Sequence, residues 1–245
     1  LRHRRPLPVR ARLTYLGHSG FLLEWPECAW LFDWWTGELP ALDKTKPLLV
    51  FVSHRHHDHF NPAIFALDHP NVQYLLGSDL RPTPRNLSRW GASPEARIHH
   101  LRRRGSLDLT LPGGLLHVEA LPSTDEGVAF LLTYQGRTVY HAGDLNWWDW
   151  PGESEEWNRS MALHFPRFAA PLEGRHLDLA FAPLDPRQEG SYDLGLAWLL
   201  THAQVDRVWP MHFWDHPEVV ERFRHDHPDL AAPLEDAPSP GQRFD

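Results

Sequence analysis

Short apolar runs, separated by glycine, proline and aspartate, recur along this chain and are typical of strands buried in a sheet. They predict strands over residues 13–16, 21–25, 30–32, 48–52, 72–76, 115–121, 128–134, 138–141, 179–182 and 207–210. Apolar positions at helical spacing predict helices over residues 62–67, 153–168, 194–202 and 218–225, with Pro166 interrupting the second. Because the strands come mostly in runs, with helices between only some of them, the pattern favours two packed sheets flanked by helices.

Length and composition predict a single domain over residues 1–245. The chain is 42% hydrophobic, has a formal net charge of -8 and shows no change of composition that would mark a domain boundary. A basic N-terminal arm (1–12) and an extended C-terminal tail (231–245) complete it. No apolar stretch predicts a membrane-spanning helix or a signal peptide, so we expect a cytoplasmic protein without a membrane partner. The first residue is Leu, and both the natural start of the chain and the oligomeric state stay open.

Histidine is over-represented, with 18 in the chain, whereas Cys28 is the single cysteine. One thiol excludes both an intramolecular disulfide and a multi-thiolate zinc site. Imidazole and carboxylate ligands are the alternative, and they suit zinc, manganese or iron. The clustering of the histidines therefore decides whether the sequence predicts a metal site.

The histidines cluster directly after the predicted strand 48–52. That segment contains His54, His56, Asp58 and His59. Side chains at the end of a buried strand project from a rigid support, and two histidines that are two residues apart face the same way there. A tight turn after them brings the next aspartate and histidine toward a neighbouring position. One short loop is therefore predicted to supply ligands to two metals.

At this point the sequence resembles the metallo-β-lactamase superfamily, whose H-x-H-x-D-H signature matches His54, His56, Asp58 and His59. Residues 14–24, followed by Phe32 and Asp33, resemble the first strands of the branch that includes L-ascorbate-6-phosphate lactonase. Residues 140–144 look like the strand that delivers a bridging aspartate, and residues 210–212 look like the strand end that delivers the last metal-binding histidine. Together the motifs span roughly residues 13 to 214.

The resemblance implies an α/β fold, a four-layer αββα sandwich in which two mixed β-sheets are flanked by helices. It implies one or two divalent metal ions per chain, manganese or zinc, as cofactors. The ligands carried over from the family motifs are His54, His56, Asp58, His59, Asp144 and His212. Asp58 and Asp144 are the catalytic carboxylates, since they are placed to orient a water that the metals activate.

One position of the family pattern is not filled. The superfamily usually has another histidine after a strand, and here residues 121–127 place Ser123 in that slot. The metal held by His54 and His56 then loses a nitrogen ligand. Either that metal is weakly held, or an oxygen of Ser123 or Asp125 substitutes. Because hard oxygen ligands shift preference from zinc toward manganese, we hypothesise a manganese-tolerant or manganese-preferring site.

Four further residues are candidates for substrate binding. Asn146 and Trp147 directly follow the bridging aspartate, so the tryptophan is a candidate for stacking on a planar group. Arg187 follows a predicted buried strand and is a candidate for holding a phosphate or carboxylate, with a salt bridge to Asp185 as the alternative. His18 lies in a turn between two early strands. His57 lies off the signature and is expected to point away from the metals.

These residues predict a metal-dependent hydrolase that uses a metal-activated water. The tryptophan-rich loop and the arginine runs favour a phosphodiester substrate, a nucleotide or single-stranded nucleic acid, so the activity would be that of a phosphodiesterase or nuclease. The opening motif favours the alternative, a lactonase acting on a sugar-phosphate lactone. A degenerate, non-catalytic protein that binds a ligand is the third reading, which retention of Asp58, Asp144 and His212 disfavours.

Overall fold

Thirteen strands form two mixed sheets in the computed structural model, which describes residues 6–245. The strands of the first sheet are β1 (Arg12–Gly17), β2 (Gly20–Glu24), β3 (Ala29–Phe32), β4 (Leu48–Val52), β5 (Val72–Gly77), β6 (Arg97–Leu101) and β13 (Arg243–Phe244). Those of the second are β7 (Ser106–Leu111), β8 (Gly114–Pro122), β9 (Val128–Tyr134), β10 (Arg137–His141), β11 (His176–Pro183) and β12 (Gln204–Met211).

Each sheet has an antiparallel and a parallel part. The first runs in the order β13-β1-β2-β3-β4-β5-β6, and it is parallel from β3 to β6. The second runs β12-β11-β10-β9-β8-β7, and it is parallel from β10 to β12. The carboxyl ends of the parallel strands β3 and β4 therefore lie together at one end of the first sheet, and those of β10, β11 and β12 lie together at one end of the second. Open α/β sheets place their sites at the carboxyl ends of such strands.

The side chains of β4 explain why its sequence is apolar throughout. Leu49 and Phe51 face the second sheet and join the main core, whereas Leu48, Val50 and Val52 face outward into a second apolar cluster. Successive side chains of a strand point to opposite faces, so a strand buried on both faces needs an uninterrupted apolar run. The outward face is covered by a 3₁₀ helix, Pro62–Ala66, and by α1 (Pro84–Arg89).

The second sheet is flanked by the longer helices α2 (Glu155–Ala169) and α3 (Leu194–His202), with α4 (Val219–Asp226) following β12. Helix α3 packs on β11 and β12 through Leu196 and Leu199, which belong to the main core. The layers are thus helix, sheet, sheet and helix, as the resemblance implied. Within the described part of the chain, no helix is both long enough and apolar enough to span a bilayer.

Several elements differ from the predicted ones. Strands β6 and β7, the short β13 and helix α1 were not predicted. Strands β6 and β7 contain several polar residues, and only one residue of each is buried, so neither forms a continuous apolar run. Residues 62–66 form a 3₁₀ rather than an α-helix. Helix α2 continues through Pro166, because the burial of Phe165 and Ala169 holds its last turn in place.

The two ends of the described chain lie against the fold. In the predicted tail, Leu234 and Phe244 are buried, and β13 pairs with β1 at the edge of the first sheet. The backbone N–H of Leu7 donates to the carbonyl of Asp245, and Val9 is buried in the core. Of the predicted basic arm, residues 1–5 lie outside the described residues.

Candidate metal centre

Loops at the ends of both sheets bring the predicted ligands together. The β1–β2 turn carries His18, the segment after β4 carries residues 54–59, and the segment after β8 carries Asp125. Asp144 follows β10, and His212 follows β12 directly. Each side chain thus projects from the end of a buried strand, which holds its position rigidly.

Three groups of ligand atoms among residues 6–245 could hold a metal ion. Two of them lie together here, whereas the third, His176, Asp178 and Asp206, lies at the beginning of β11 and β12. The first group comprises His18, Asp58, His59 and His212, and the second comprises His54, His56, Asp125 and Asp144. In each group the four ligand atoms lie within 4.8 Å of one another. All four residues of the first group are buried, whereas the imidazole of His56 is 41% exposed. The second group is therefore the one that opens to solvent.

Asp144 links the two groups. Its Oδ2 lies 3.3 Å from Nε2 of His54, while its Oδ1 lies 3.1 Å from Nε2 of His59 and 3.3 Å from Nε2 of His212. On the other side of the first group, Oδ2 of Asp58 lies 3.6 Å from Nε2 of His212. A single carboxylate between two ligand groups is the arrangement that a two-metal site requires.

Hydrogen bonds outside the centre fix which nitrogen of each buried histidine faces it. Nδ1 of His59 lies 2.7 Å from Oδ2 of Asp33, and Nδ1 of His212 lies 2.9 Å from Oδ2 of Asp185. An ionised carboxylate only accepts hydrogen bonds, so Nδ1 of each histidine carries the proton. Nε2 of each therefore faces the centre and is the atom that would bind a metal ion.

The position of the proton on His54 follows from its hydrogen bond to Ser53, which in turn is bound to Asp33. The hydroxyl of Ser53 donates to Oδ2 of Asp33 at 2.6 Å, so its oxygen has to accept from Nδ1 of His54 at 2.9 Å. Nε2 of His54 then carries a lone pair, and it is buried without a hydrogen-bond partner. Oδ1 of Asp144 is a second buried atom without one. Buried polar atoms are rarely left unpaired, so these two orphaned atoms, one facing each ligand group, fit bound metal ions.

The charges of the centre favour the ligand form of its carboxylates. Burial opposes ionisation of Asp144, but the charges of His59 and His212 outweigh it and hold the pKa well below its usual range. Burial likewise opposes ionisation of Asp58, yet the hydrogen bond from His18 lowers its pKa. For His18 itself, burial lowers the pKa to about 4. Both aspartates are therefore anionic and His18 is neutral at pH 7.

In the metal-free arrangement, burial disfavours charge on His59 but the carboxylates of Asp144 and Asp33 outweigh it and raise its pKa well above the ordinary value. Burial and the charge of Asp144 raise the pKa of Asp125. The centre thus concentrates negative charge that a bound cation would compensate.

Several residues around the centre also have strained backbone conformations. Among the described residues seven non-glycine residues have positive φ, and four of them surround this site: His18, Asp33, His212 and Trp214. Such a conformation costs roughly 1–3 kcal/mol and persists only where the surroundings impose it. For a bulky residue such as Trp214, with φ of 52°, the local packing has to hold the chain in place.

The structure separates the two proposed substitutes for the missing histidine. Oδ2 of Asp125 lies 3.3 Å from Nδ1 of His56, which places this carboxylate in the second ligand group. The hydroxyl of Ser123 instead accepts from the backbone N–H of Asp125 at 3.2 Å. Ser123 therefore supports the loop that carries Asp125.

The residues predicted to bind substrate lie in different places. Nε2 of His18 reaches the first ligand group, 3.1 Å from Oδ2 of Asp58. Arg187 forms the salt bridge to Asp185. Asn146 is buried and its side chain lies against Gly195, and the ring of Trp147 lies 6.1 Å from that of Phe165.

The side chains of Asn146 and Trp147 thus contact α2 and α3 rather than the ligand groups. His57 is exposed and belongs to neither ligand group.

Sequence reasoning missed the two carboxylates that hold histidines from outside. Asp33 and Asp185 are both fully buried, and each directly or nearly follows a strand end, as Asp144 does. That position is the signal by which they could have been found. Their partners, however, come from other strands, and no local pattern indicates which histidine each one contacts.

Comparison with known proteins identifies the family. The family model of the beta-lactamase superfamily domain matches residues 12–148, more than half of the chain, and the chain belongs to this superfamily. A UPF0173 metal-dependent hydrolase of Opitutus terrae is 34% identical over 152 residues, which cover 54% of this chain and 62% of that protein. The match therefore spans less than two thirds of the length of that curated relative.

Solved structures share the fold. A metallo hydrolase of the archaeon Ignicoccus hospitalis aligns over 96% of this chain and 98% of its own, with a TM-score of 0.64 and 19% identity. The short form of human tRNase Z aligns over 96% and 98%, with a TM-score of 0.58 and 15% identity. At these identities the likeness concerns the fold, and it confirms the predicted αββα sandwich.

Proposed function

We propose that this protein is a metal-dependent hydrolase that holds two divalent ions and cleaves phosphodiesters. The observation that carries the proposal is Asp144, whose two oxygens face different groups of ligand atoms, His54 on one side and His59 with His212 on the other. The curated relative of Opitutus terrae is itself described as a metal-dependent hydrolase. Manganese or zinc are the ions that such imidazole and carboxylate groups suit.

Metal ions bound at such a site supply a water that is nucleophilic at neutral pH, together with positive charge for the transition state. The protein contributes the placement of the reacting groups. Asp58 and Asp144 are ionised and orient the attacking water by accepting its hydrogen bonds. Before a metal binds, the hydrogen bond between Nε2 of His18 and Oδ2 of Asp58, 3.1 Å long, fixes the direction of that carboxylate. The half-exposed His56 marks the side from which a substrate enters.

Cationic side chains on that open side favour an anionic substrate. Arg103 donates to the carbonyl oxygens of Gly127 and Asp125, and no carboxylate among residues 6–245 lies within 4.0 Å of its guanidinium. Arg55 is also exposed there, although it pairs with Glu126 at 2.6 Å. An arginine without a countercharge beside a metal-binding loop suits a phosphoryl group. The fold of human tRNase Z is compatible with such a substrate.

The test is hydrolysis of bis(p-nitrophenyl) phosphate by metal-free protein that has been reloaded with manganese or zinc. We expect turnover only with metal, and a loss of at least about 100-fold in Asp144→Ala, because that change removes the carboxylate shared by both ligand groups. Asp108→Ala, an exposed aspartate on β7, is the control and should keep full activity.

Absence of turnover with either metal, in protein shown to bind two ions, would exclude the phosphodiester assignment. The next substrate would then be a sugar-phosphate lactone, which the likeness of residues 14–24 to the lactonase branch favours. Loss of activity toward every ester, with metal bound, would instead indicate a ligand-binding protein.

A further inference from the structure

A buried aspartate and an arginine form a chain behind His212. Asp185 is fully buried, and its Oδ2 accepts from Nδ1 of His212 at 2.9 Å. The guanidinium of Arg187 reaches the same carboxylate from the other side: Nη2 donates to Oδ2 at 2.6 Å and Nε donates to Oδ1 at 2.9 Å. Both oxygens of Asp185 are thereby fixed by a bidentate contact, the strongest geometry that this pair of groups offers.

His59 is held by a carboxylate in a different way. Its outer partner Asp33 accepts from the backbone N–H of Ser53 at 2.7 Å and from the Ser53 hydroxyl at 2.6 Å, so neutral groups of β4 and its end hold that carboxylate. Asp185 accepts from the backbone N–H of Arg187 at 3.0 Å and from the Arg187 side chain. Apart from that backbone N–H, the carboxylate that orients His212 is thus held by one long side chain.

That side chain is itself held by aromatic rings. The guanidinium carbon of Arg187 lies 4.5 Å from the ring centre of Trp214 and 5.3 Å from that of Trp150. Stacking on indole faces stabilises a guanidinium at a fixed position. Trp214 has the positive φ noted above and follows His212 by two residues, so the strained turn that ends β12 places both the histidine and the ring that holds the arginine.

We propose that Arg187 is a positioning residue: it clamps Asp185 so that His212 keeps its proton on Nδ1 and presents Nε2 to Asp58 and Asp144. The two donors that Arg187 directs at Asp185, on Nε and Nη2, are then not available to a substrate phosphate. Without the clamp, the carboxylate of Asp185 keeps only the backbone N–H of residue 187 and the imidazole of His212, so the ring orientation of His212 is held less firmly. Outer partners of this kind typically change metal affinity by about 10–100-fold.

The chain contains a matched control for the clamp. At the opposite end of β11, Arg137 donates to the buried Asp178 at 2.8 Å, and the two arginine side chains are equally exposed, 49% for Arg137 and 48% for Arg187. Asp178 contacts no histidine of the two ligand groups. Loss of either arginine removes a similar ion pair, but only one of the two pairs continues to a ligand of the centre.

The experiment compares Arg187→Ala, Arg187→Lys and Arg137→Ala in the full chain. The first readout is the tautomer of His212 in metal-free protein, from long-range ¹H–¹⁵N spectra of the imidazoles. The second is the affinity for manganese and for zinc by calorimetric titration. We expect Arg187→Ala to lose the single Nδ1–H tautomer and to bind metal about 10–100-fold more weakly, with Arg137→Ala unchanged in both. Arg187→Lys should recover part of the affinity, since lysine keeps the charge without the bidentate geometry.

Equal tautomer and affinity in Arg187→Ala and Arg137→Ala would overturn the proposal. A raised KM with unchanged kcat and metal affinity would overturn it too, because it would make Arg187 a substrate contact. If Arg187→Ala does not fold, the same two readouts on Arg187→Lys decide. The inference rests on the proposed metal centre only in its second readout, the metal affinity, because the tautomer of His212 is measured without metal. A wild-type protein without phosphodiesterase activity would therefore leave the tautomer result valid, which keeps the two failures distinguishable.

Discussion

At the residue scale, Asp125 makes the two ligand groups chemically different. The group of His18, Asp58, His59 and His212 offers three imidazoles and one carboxylate, whereas the group that contains Asp125 offers two of each. Imidazole suits zinc and iron, and carboxylate oxygen suits manganese and magnesium. The two positions are thus expected to differ in metal preference, with the more oxygen-rich position being the manganese-tolerant one.

Asp125→His tests this difference. The substitution restores a nitrogen at the loop where the superfamily usually has one, so we expect the preference of the second position for zinc over manganese to rise by about tenfold or more. Competitive loading followed by elemental analysis measures it. Asp125→Asn, which removes the charge without adding an imidazole, is the control and should weaken both metals. Stoichiometric zinc in the wild-type protein, with no activity rescued by manganese, would contradict the manganese hypothesis.

At the scale of elements, the β8–β9 loop and the end of β4 approach each other closely. Gly127 lies in that loop with φ of 66°, and a Cβ there would lie 2.0 Å from the carbonyl oxygen of Ser53 and 2.7 Å from Cβ of His54. Glycine is required both for the backbone conformation and for the space. This contact sets the distance between the loop that carries Asp125 and the segment that carries the paired histidines.

Gly127→Ala should therefore destabilise the protein by about 3 kcal/mol or more, because the clash is with backbone and adds to the strain of positive φ. Urea denaturation of metal-free protein gives the value. Gly136→Ala is the matched control: Gly136 also has positive φ, at 71°, but a Cβ there meets no atom within 4 Å. The control should cost only about 1 kcal/mol of strain. Equal losses in the two variants would show that the close approach is not important.

At the scale of the whole molecule, the centre depends on how two sheets from distant parts of the chain pack together. His59 and His212 are 153 residues apart, and their Nε2 atoms lie 3.4 Å apart. The first sheet supplies His59 and the second supplies His212. The last strand, β13, closes the edge of the first sheet, and its Phe244 packs on Trp209 of β12 with ring centres 5.3 Å apart. The C-terminal segment thus connects the two sheets beside the strand that delivers His212.

Phe244→Ala should lower the free energy of unfolding by about 3 kcal/mol, because the ring is only 9% exposed and its removal leaves a cavity between the sheets. Chemical denaturation of the full chain measures the loss. Leu163→Ala, at a side chain of α2 that is 70% exposed, should change stability by no more than about 0.5 kcal/mol. A loss of similar size in both variants would mean that the tail does not contribute to the packing of the sheets.

The site residues that could be predicted are those that lie close together in the sequence or within a recognisable motif. His54, His56, Asp58 and His59 belong to one short segment after one strand, so their proximity follows from chain connectivity and was predictable. Asp144 and His212 were predictable by resemblance, because each follows a strand that resembles a family motif. The position of Asp125 beside His56 was not predictable, since it depends on which side chain of the loop turns toward His56.

The sequence by itself determined the apolar strands and the class of fold, and it predicted six ligand positions, because these rest on local periodicity and on motifs within single segments. Only the tertiary structure decided that Asp33 and Asp185 hold His59 and His212, and that Asn146 and Trp147 turn toward the helices. Those outcomes are contacts between strands that are distant in sequence. Their geometry is set by the packing of one sheet on the other, which no local pattern encodes.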